Sequence, residues 1–183
     1  MKNVMKNSLK LTNLHKRHPG ISLGISVSYT EAACVCLDRH HKPPVELVVD
    51  ERSEPLKLSI EWKESDHNLK RAWANEIDTT EAGAYCLALA TVEVTDDLVA
   101  ISRAETKTGA DYYLGTKNKA HDDLEDLHRL EVSGINNSDS LLIKNRLQQK
   151  IKQAQLGRSN LPAIAAVVGF SSLQIAIADV PEK

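Results

Sequence analysis

The chain has 183 residues, 42% hydrophobic and 26% charged, with a formal net charge of -2 and a pI of about 6.4. A chain of this size buries a real core as one domain. No run of about 18 apolar residues exists to span a bilayer, and the acidic balance excludes a global positive field that would gather nucleic acid, so such a partner needs a local basic face. The opening residues lack the continuous apolar segment of a secretory signal, and three cysteines fit reduced thiols better than a disulfide framework, so a cytoplasmic protein with no membrane partner is expected.

Residues 1–20 are polar and rich in Lys and Asn and read as a flexible arm, leaving 21–183 as a single α/β domain. Ser28-Tyr-Thr-Glu31 has the form of a capping box ahead of the helix "AACVCLDRHH", which Pro43-Pro44 stops. "VELVVD" and the alternating "LKLSIEW" form an antiparallel pair in prospect, either extending the main sheet or standing as a small ribbon. A polar helical connector over 65–75 leads to "DTTEAGAYCLALATVEV", with Asp78 as N-cap and Glu81 at the third helical position. That helix is apolar on nearly all sides and should be buried.

The period then changes. "LVAISRAE", "DYYLG" and "HRLEVSGI" read as three strands, with a turn at Gly109 after the first. Asn137 and Ser138 offer N-caps to an amphipathic helix, "SLLIKNRLQQKIKQAQL", whose Leu141, Leu142, Leu147 and Ile151 lie along one side and which Gly157 ends. Its Lys144, Arg146, Lys150 and Lys152 make a basic face that either keeps the helix wet or lies along phosphates. "AIAAVVGF" and "LQIAIADV" close the chain as strands. The expected class is therefore α/β (α+β), a mixed central sheet flanked by helices.

Several residues carry chemical alternatives. Residues i and i+2 of a strand share a face, so Glu131 points with Arg129 and Ser133, either as a solvent-facing residue paired with a cation or into a polar site. Asp111, after Thr108-Gly109-Ala110, either stabilises the turn or supplies a functional carboxylate. For Glu81 the capping role is sufficient by itself. Cys36 and His40 share a helical face, but the spacing matches no strong zinc framework, and buried cysteines are the default. The acidic stretch from His121 to His128 reads as a solvated loop or short helix. Of Tyr112 and Tyr113, on opposite sides of a strand, one should be core and the other available for contact.

Read from Asp78 onward, the element order α-β-β-β-α-β resembles the core of the PD-(D/E)xK nuclease superfamily, the restriction-endonuclease-like fold. The resemblance spans residues 78–180, with an N-terminal helix and hairpin as extension. It implies a metal-dependent nuclease that hydrolyses phosphodiester bonds in nucleic acid in a mobile-element or defence setting, with Mg²⁺ or Mn²⁺ as cofactor. Position by position it makes Asp111 and Glu131 metal ligands and Glu81 a third from the helix. Where the family carries lysine, two residues after the glutamate, this chain has Ser133. Lys144, or Lys150 on the same helix, would then stand in. The departure equally suits a catalytically inactive nuclease-like scaffold that acts as a protein-interaction or accessory subunit, alone or as a homo-oligomer.

Overall fold

The computed structural model describes residues 8–51, 54–117 and 126–181. In chain order these form β1 (Ser8–Leu9), α1 (Leu23–His40), β2 (Val45–Glu51), β3 (Leu56–Ile60), α2 (His67–Ala72), α3 (Glu76–Thr95), β4 (Leu98–Arg103), β5 (Tyr112–Thr116), β6 (His128–Ile135), α4 (Ser140–Leu156), β7 (Ala163–Gly169) and β8 (Gln174–Val180). The strands make one eight-stranded mixed sheet in the order β1-β3-β2-β8-β7-β6-β5-β4. The expected α/β class is correct, and the early hairpin is an extension of the main sheet, with β2 pairing parallel to β8.

Alternation assigns each face. In β6 and β7, Leu130, Val132, Ile164, Ala166 and Val168 join the main core beneath α1 and α3, while Val167 of the opposite face packs with Ile143 of α4. β6 and β7 are parallel, joined by α4 as a crossover. β4, β5 and β6 pair antiparallel in succession.

Helix starts lie earlier or later than local capping patterns suggest. α1 begins at Leu23 behind Ser22, whose side chain accepts from the Ile25 N–H, so Ser28 and Glu31 are interior. α3 begins behind Asn75, whose carbonyl oxygen accepts from Ile77 and Asp78, so the cap is not Asp78. α4 is capped by Asp139, which accepts from Leu142. The stretches before α3 and α4 each carry more than one cap-competent side chain, so the local pattern alone does not choose among them.

The flexible arm over 1–20 needs correction for its described part, residues 8–20. Leu9, Leu11 and Leu14 are buried, β1 pairs with β3, and a 3-10 turn spans Leu14–Lys16. Gly20 donates its N–H to the Ala100 carbonyl, and His18 Nδ1 accepts from the Ala100 N–H, so this segment covers the outer edge of β4. A Cβ at Gly20 would stand 2.6 Å from the Ile101 carbonyl carbon and the Ser102 nitrogen. Gly20→Ala is therefore expected to cost roughly 2 kcal/mol through backbone displacement, read as a lower denaturant midpoint.

Glu93 of α3 fastens the same segment. Its Oε2 accepts from Arg17 Nε at 2.7 Å and lies 3.3 Å from His18 Nε2, while Oε1 is 3.2 Å from Lys117 Nζ. Burial opposes the charge, but His18 and Arg17 outweigh it and pull the carboxyl from 4.5 down to about 2. A depressed folded pKa stabilises the fold above the unfolded value, and that contribution disappears as pH falls through the folded one. Glu93→Gln should cost about 2 kcal/mol at neutral pH after screening is allowed for. Its Tm deficit against the wild type should shrink as the pH drops from 4.5 toward about 2.

Candidate functional site

Asp111 sits one residue before β5, where the chain joins β6. Its N–H donates to the Leu130 carbonyl at 2.7 Å, and Tyr112 pairs with Leu130. Its side chain turns back onto the neighbouring strand, where Oδ2 accepts from the Val132 N–H at 2.8 Å. Val132 is bonded to Glu131, so covalent reach alone keeps the two carboxylates within about 10 Å of each other. The other Asp111 oxygen accepts from the Tyr85 hydroxyl at 2.8 Å and lies 3.5 Å from Arg103 Nη2.

Glu131 is not a solvent-facing strand residue, nor is Arg129 its partner. It is 3% exposed, and its Oε1 accepts from Lys150 Nζ of α4 at 2.7 Å. Burial pushes its carboxyl above the usual range; Lys150 pulls it back, and Asp111 adds to the rise. Arg129, also buried, instead donates to the carbonyls of Leu161, Thr108 and Ala154, fixing the end of α4 against the 104–111 loop.

Glu81 reaches the same place from α3. A Cβ at Gly134 would lie 2.6 Å from the Thr80 carbonyl oxygen and 3.0 Å from the Ala84 Cβ, so the bare glycine lets α3 lie directly on β6. Glu81 Oε1 is 3.3 Å from the Tyr85 hydroxyl, which has one proton and lies nearer Asp111. Tyr85 thus donates to Asp111, with the Glu81 carboxylate beside it. Burial, then Asp111, pushes its phenol pKa upward, so it stays a donor.

Lys144 does not reach this site. The inward stripe of α4 is Ile143, Leu147, Lys150 and Ala154, spaced by four, three and four, whereas Lys144 is exposed on another side. Leu141 and Leu142, expected to pack, are 66% and 47% exposed. Lys150 is the lysine that turns inward, and Arg146 Nη1 approaches Ser133 Oγ at 3.4 Å. The spacing from Ile143 to Ala154 was the sequence signal that could have ranked Lys150 above Lys144.

These groups line one cleft of about 1050 Å³, with five acids (Glu76, Glu81, Glu105, Asp111, Glu131) and five bases (Arg103, Lys107, Arg146, Lys150, Arg158). Arg103 and Tyr85 carry no role in the sequence reading. Both lie in core-like runs, and only strand pairing and helix packing bring them to Asp111. Among the described residues, no group of three or more His, Cys, Asp or Glu converges as a metal-holding cluster. The donor chemistry of Asp111 and Glu131 nonetheless fits a hard divalent cation, since Mg²⁺ usually takes one or two carboxylates and leaves its other positions to water and phosphate oxygens.

The remaining candidates are structural. Cys36 donates to the Thr79 carbonyl and His40 pairs with Asn136, while burial pushes the Cys36 thiol up to about 12. Tyr112 and Tyr113 are both buried, with hydroxyls on Tyr29 and Glu105 respectively. Most of the acidic stretch beginning at His121 lies outside the described residues. No helix among the described residues is long and apolar enough to cross a membrane. Comparison with protein families, curated proteins and solved structures finds no match to this chain.

Proposed function

We propose that the chain is a metal-dependent nuclease hydrolysing phosphodiester bonds, with Asp111 and Glu131 as the acid pair and Lys150 as the lysine that replaces the one missing at Ser133. The observation that carries this reading is the meeting of three elements: Asp111 hydrogen-bonded to the residue after Glu131, and Lys150 delivered from α4 to the Glu131 carboxylate. The resemblance to the PD-(D/E)xK superfamily asks for this combination, and the order α3-β4-β5-β6-α4-β7 supports it.

A divalent cation bound by Asp111 and Glu131 would supply Lewis-acid polarisation of the phosphoryl group and a more acidic attacking water. The chain's own groups do the rest. The Val132 N–H and the Tyr85 hydroxyl fix the Asp111 carboxylate, so its orientation is set before substrate arrives. Lys150, 2.7 Å from the Glu131 carboxylate, would offset charge gathering on the phosphate oxygens in the transition state. Acids and bases balance in the cleft, so with two carboxylates compensated the walls carry a surplus of two bases, which favours a polyanion.

Glu131 is nearly closed off and already ion-paired, and that observation favours the second reading, an inactive scaffold that serves as an interaction subunit. Labelled single- and double-stranded DNA and RNA, incubated with purified protein in Mg²⁺ or Mn²⁺ with and without chelator, separate the two. Chelator-sensitive cleavage that Asp111→Ala and Glu131→Ala abolish is the expected result. Cleavage untouched by both substitutions removes the site.

A further inference from the structure

Hydrolysis at the acid pair needs a group that grips the phosphate beside it. We propose that Arg103 is the phosphate-binding residue of the cleft, its guanidinium taking a non-bridging phosphate oxygen of the nucleic-acid strand next to Asp111. This rests on the nuclease reading and names how that site holds its substrate.

The placement of Arg103 depends on an irregularity in β4. Ala100 pairs with Leu114, but Ser102 pairs with Tyr113 and Arg103 with Tyr112, so one residue is inserted at Ile101. In an unbroken ladder Arg103 would fall opposite Asp111, on the face away from α3. The bulge moves it onto the face of Ala100 and Tyr112, the one that α3 covers.

There three uncharged tyrosines hold it. The guanidinium carbon lies 4.6 Å from the centre of the Tyr85 ring and 4.7 Å from that of Tyr112. Nη2 donates to the Tyr85 hydroxyl at 3.1 Å and Nη1 to the Tyr29 hydroxyl at 3.4 Å. Two rings and two hydroxyls orient a cation without neutralising it.

Asp111, the acid that Arg103 meets directly among the described residues, is held loosely. Arg103 Nη2 and Asp111 Oδ1 are 3.5 Å apart, longer than a close charge-assisted hydrogen bond. The Arg103 side chain remains 49% exposed on the wall of the cleft. A half-exposed guanidinium has five donors and a planar fork suited to phosphate oxygens. If its role were only to offset Asp111, a short bidentate pair would serve better than this long single contact.

The test measures binding apart from cleavage. Anisotropy of a short labelled single-stranded DNA is followed against salt, in Ca²⁺ so that turnover is suppressed. Arg103→Ala is expected to weaken binding roughly tenfold and to lower the slope of log affinity on log salt by about one, the signature of one lost phosphate contact. Arg103→Gln, close in size and neutral, should do the same and serves if the alanine variant folds poorly. Wild-type affinity and slope in either folded variant overturn the proposal and leave Arg103 as a counter-charge to Asp111, while the acid-pair reading is still judged by the cleavage series. Failure of the wild-type protein to bind the oligonucleotide overturns the proposal together with any claim on that substrate.

Discussion

Asp111→Asn should lower metal-dependent phosphodiester cleavage about a thousandfold, in the range seen when one electrostatic contributor to a transition state is removed. The amide keeps a carbonyl oxygen for the Val132 N–H, so that strand contact survives, while the Tyr85 hydroxyl loses the charged acceptor it now has at 2.8 Å. The stability cost should therefore stay near about 1 kcal/mol, the net worth of one hydrogen bond. A large fall in turnover at nearly unchanged Tm assigns the residue to chemistry. A large fall in Tm with proportionate loss of activity assigns it to the turn, the plain alternative that the Thr108-Gly109-Ala110 approach always allowed. Cleavage kinetics and thermal unfolding on one preparation distinguish the two outcomes.

Lys150→Ala should reduce cleavage about a hundredfold, whereas Lys144→Ala should leave it within twofold; the hundredfold figure is that of a single lost transition-state interaction. The two lysines share a helix and a charge, so the contrast isolates position. A pH signature accompanies it. Burial already raises the Glu131 pKa, and Lys150 is the principal influence holding it down. Without that ammonium the carboxyl rises further. A group whose folded pKa exceeds its unfolded value binds more protons in the native state, so stability falls as pH rises through that window. Lys150→Ala should accordingly lose stability against the wild type as pH increases from the ordinary carboxylate range, and Glu131→Gln in the same background should abolish that slope. Since only the ionised carboxylate ligates a hard cation, metal-dependent cleavage by the wild type should also decline on acidification at a pH above that of a free glutamate.

The site was legible in part. Glu131 was readable because alternation assigns its strand position a face: Leu130 and Val132 go to the core, so Glu131 must go elsewhere, whereas Asp111, one residue before β5, was readable only as the acid that follows the Gly109 turn. Lys150 was readable only as one of several cations on α4, since choosing among them needs the helix's rotation, and exposed Leu141 and Leu142 gave that rotation a false bearing. Arg103 was invisible because a bulge changes the face of every residue beyond it, and a bulge is a property of two paired strands, not of one.

The sequence by itself determined the type and order of the elements from α1 onward, the bounds of β6 and the buried character of α3, because periodicity and burial are local consequences of side-chain pattern. Only the tertiary structure decided which cap starts each helix, whether residues 8–20 hang loose or seal the edge of β4, and which cation meets Glu131. The last two turn on contacts between residues 19 and 82 positions apart, Lys150 with Glu131 and His18 with Ala100. Their energies exist only once the chain is folded, and no local pattern records them.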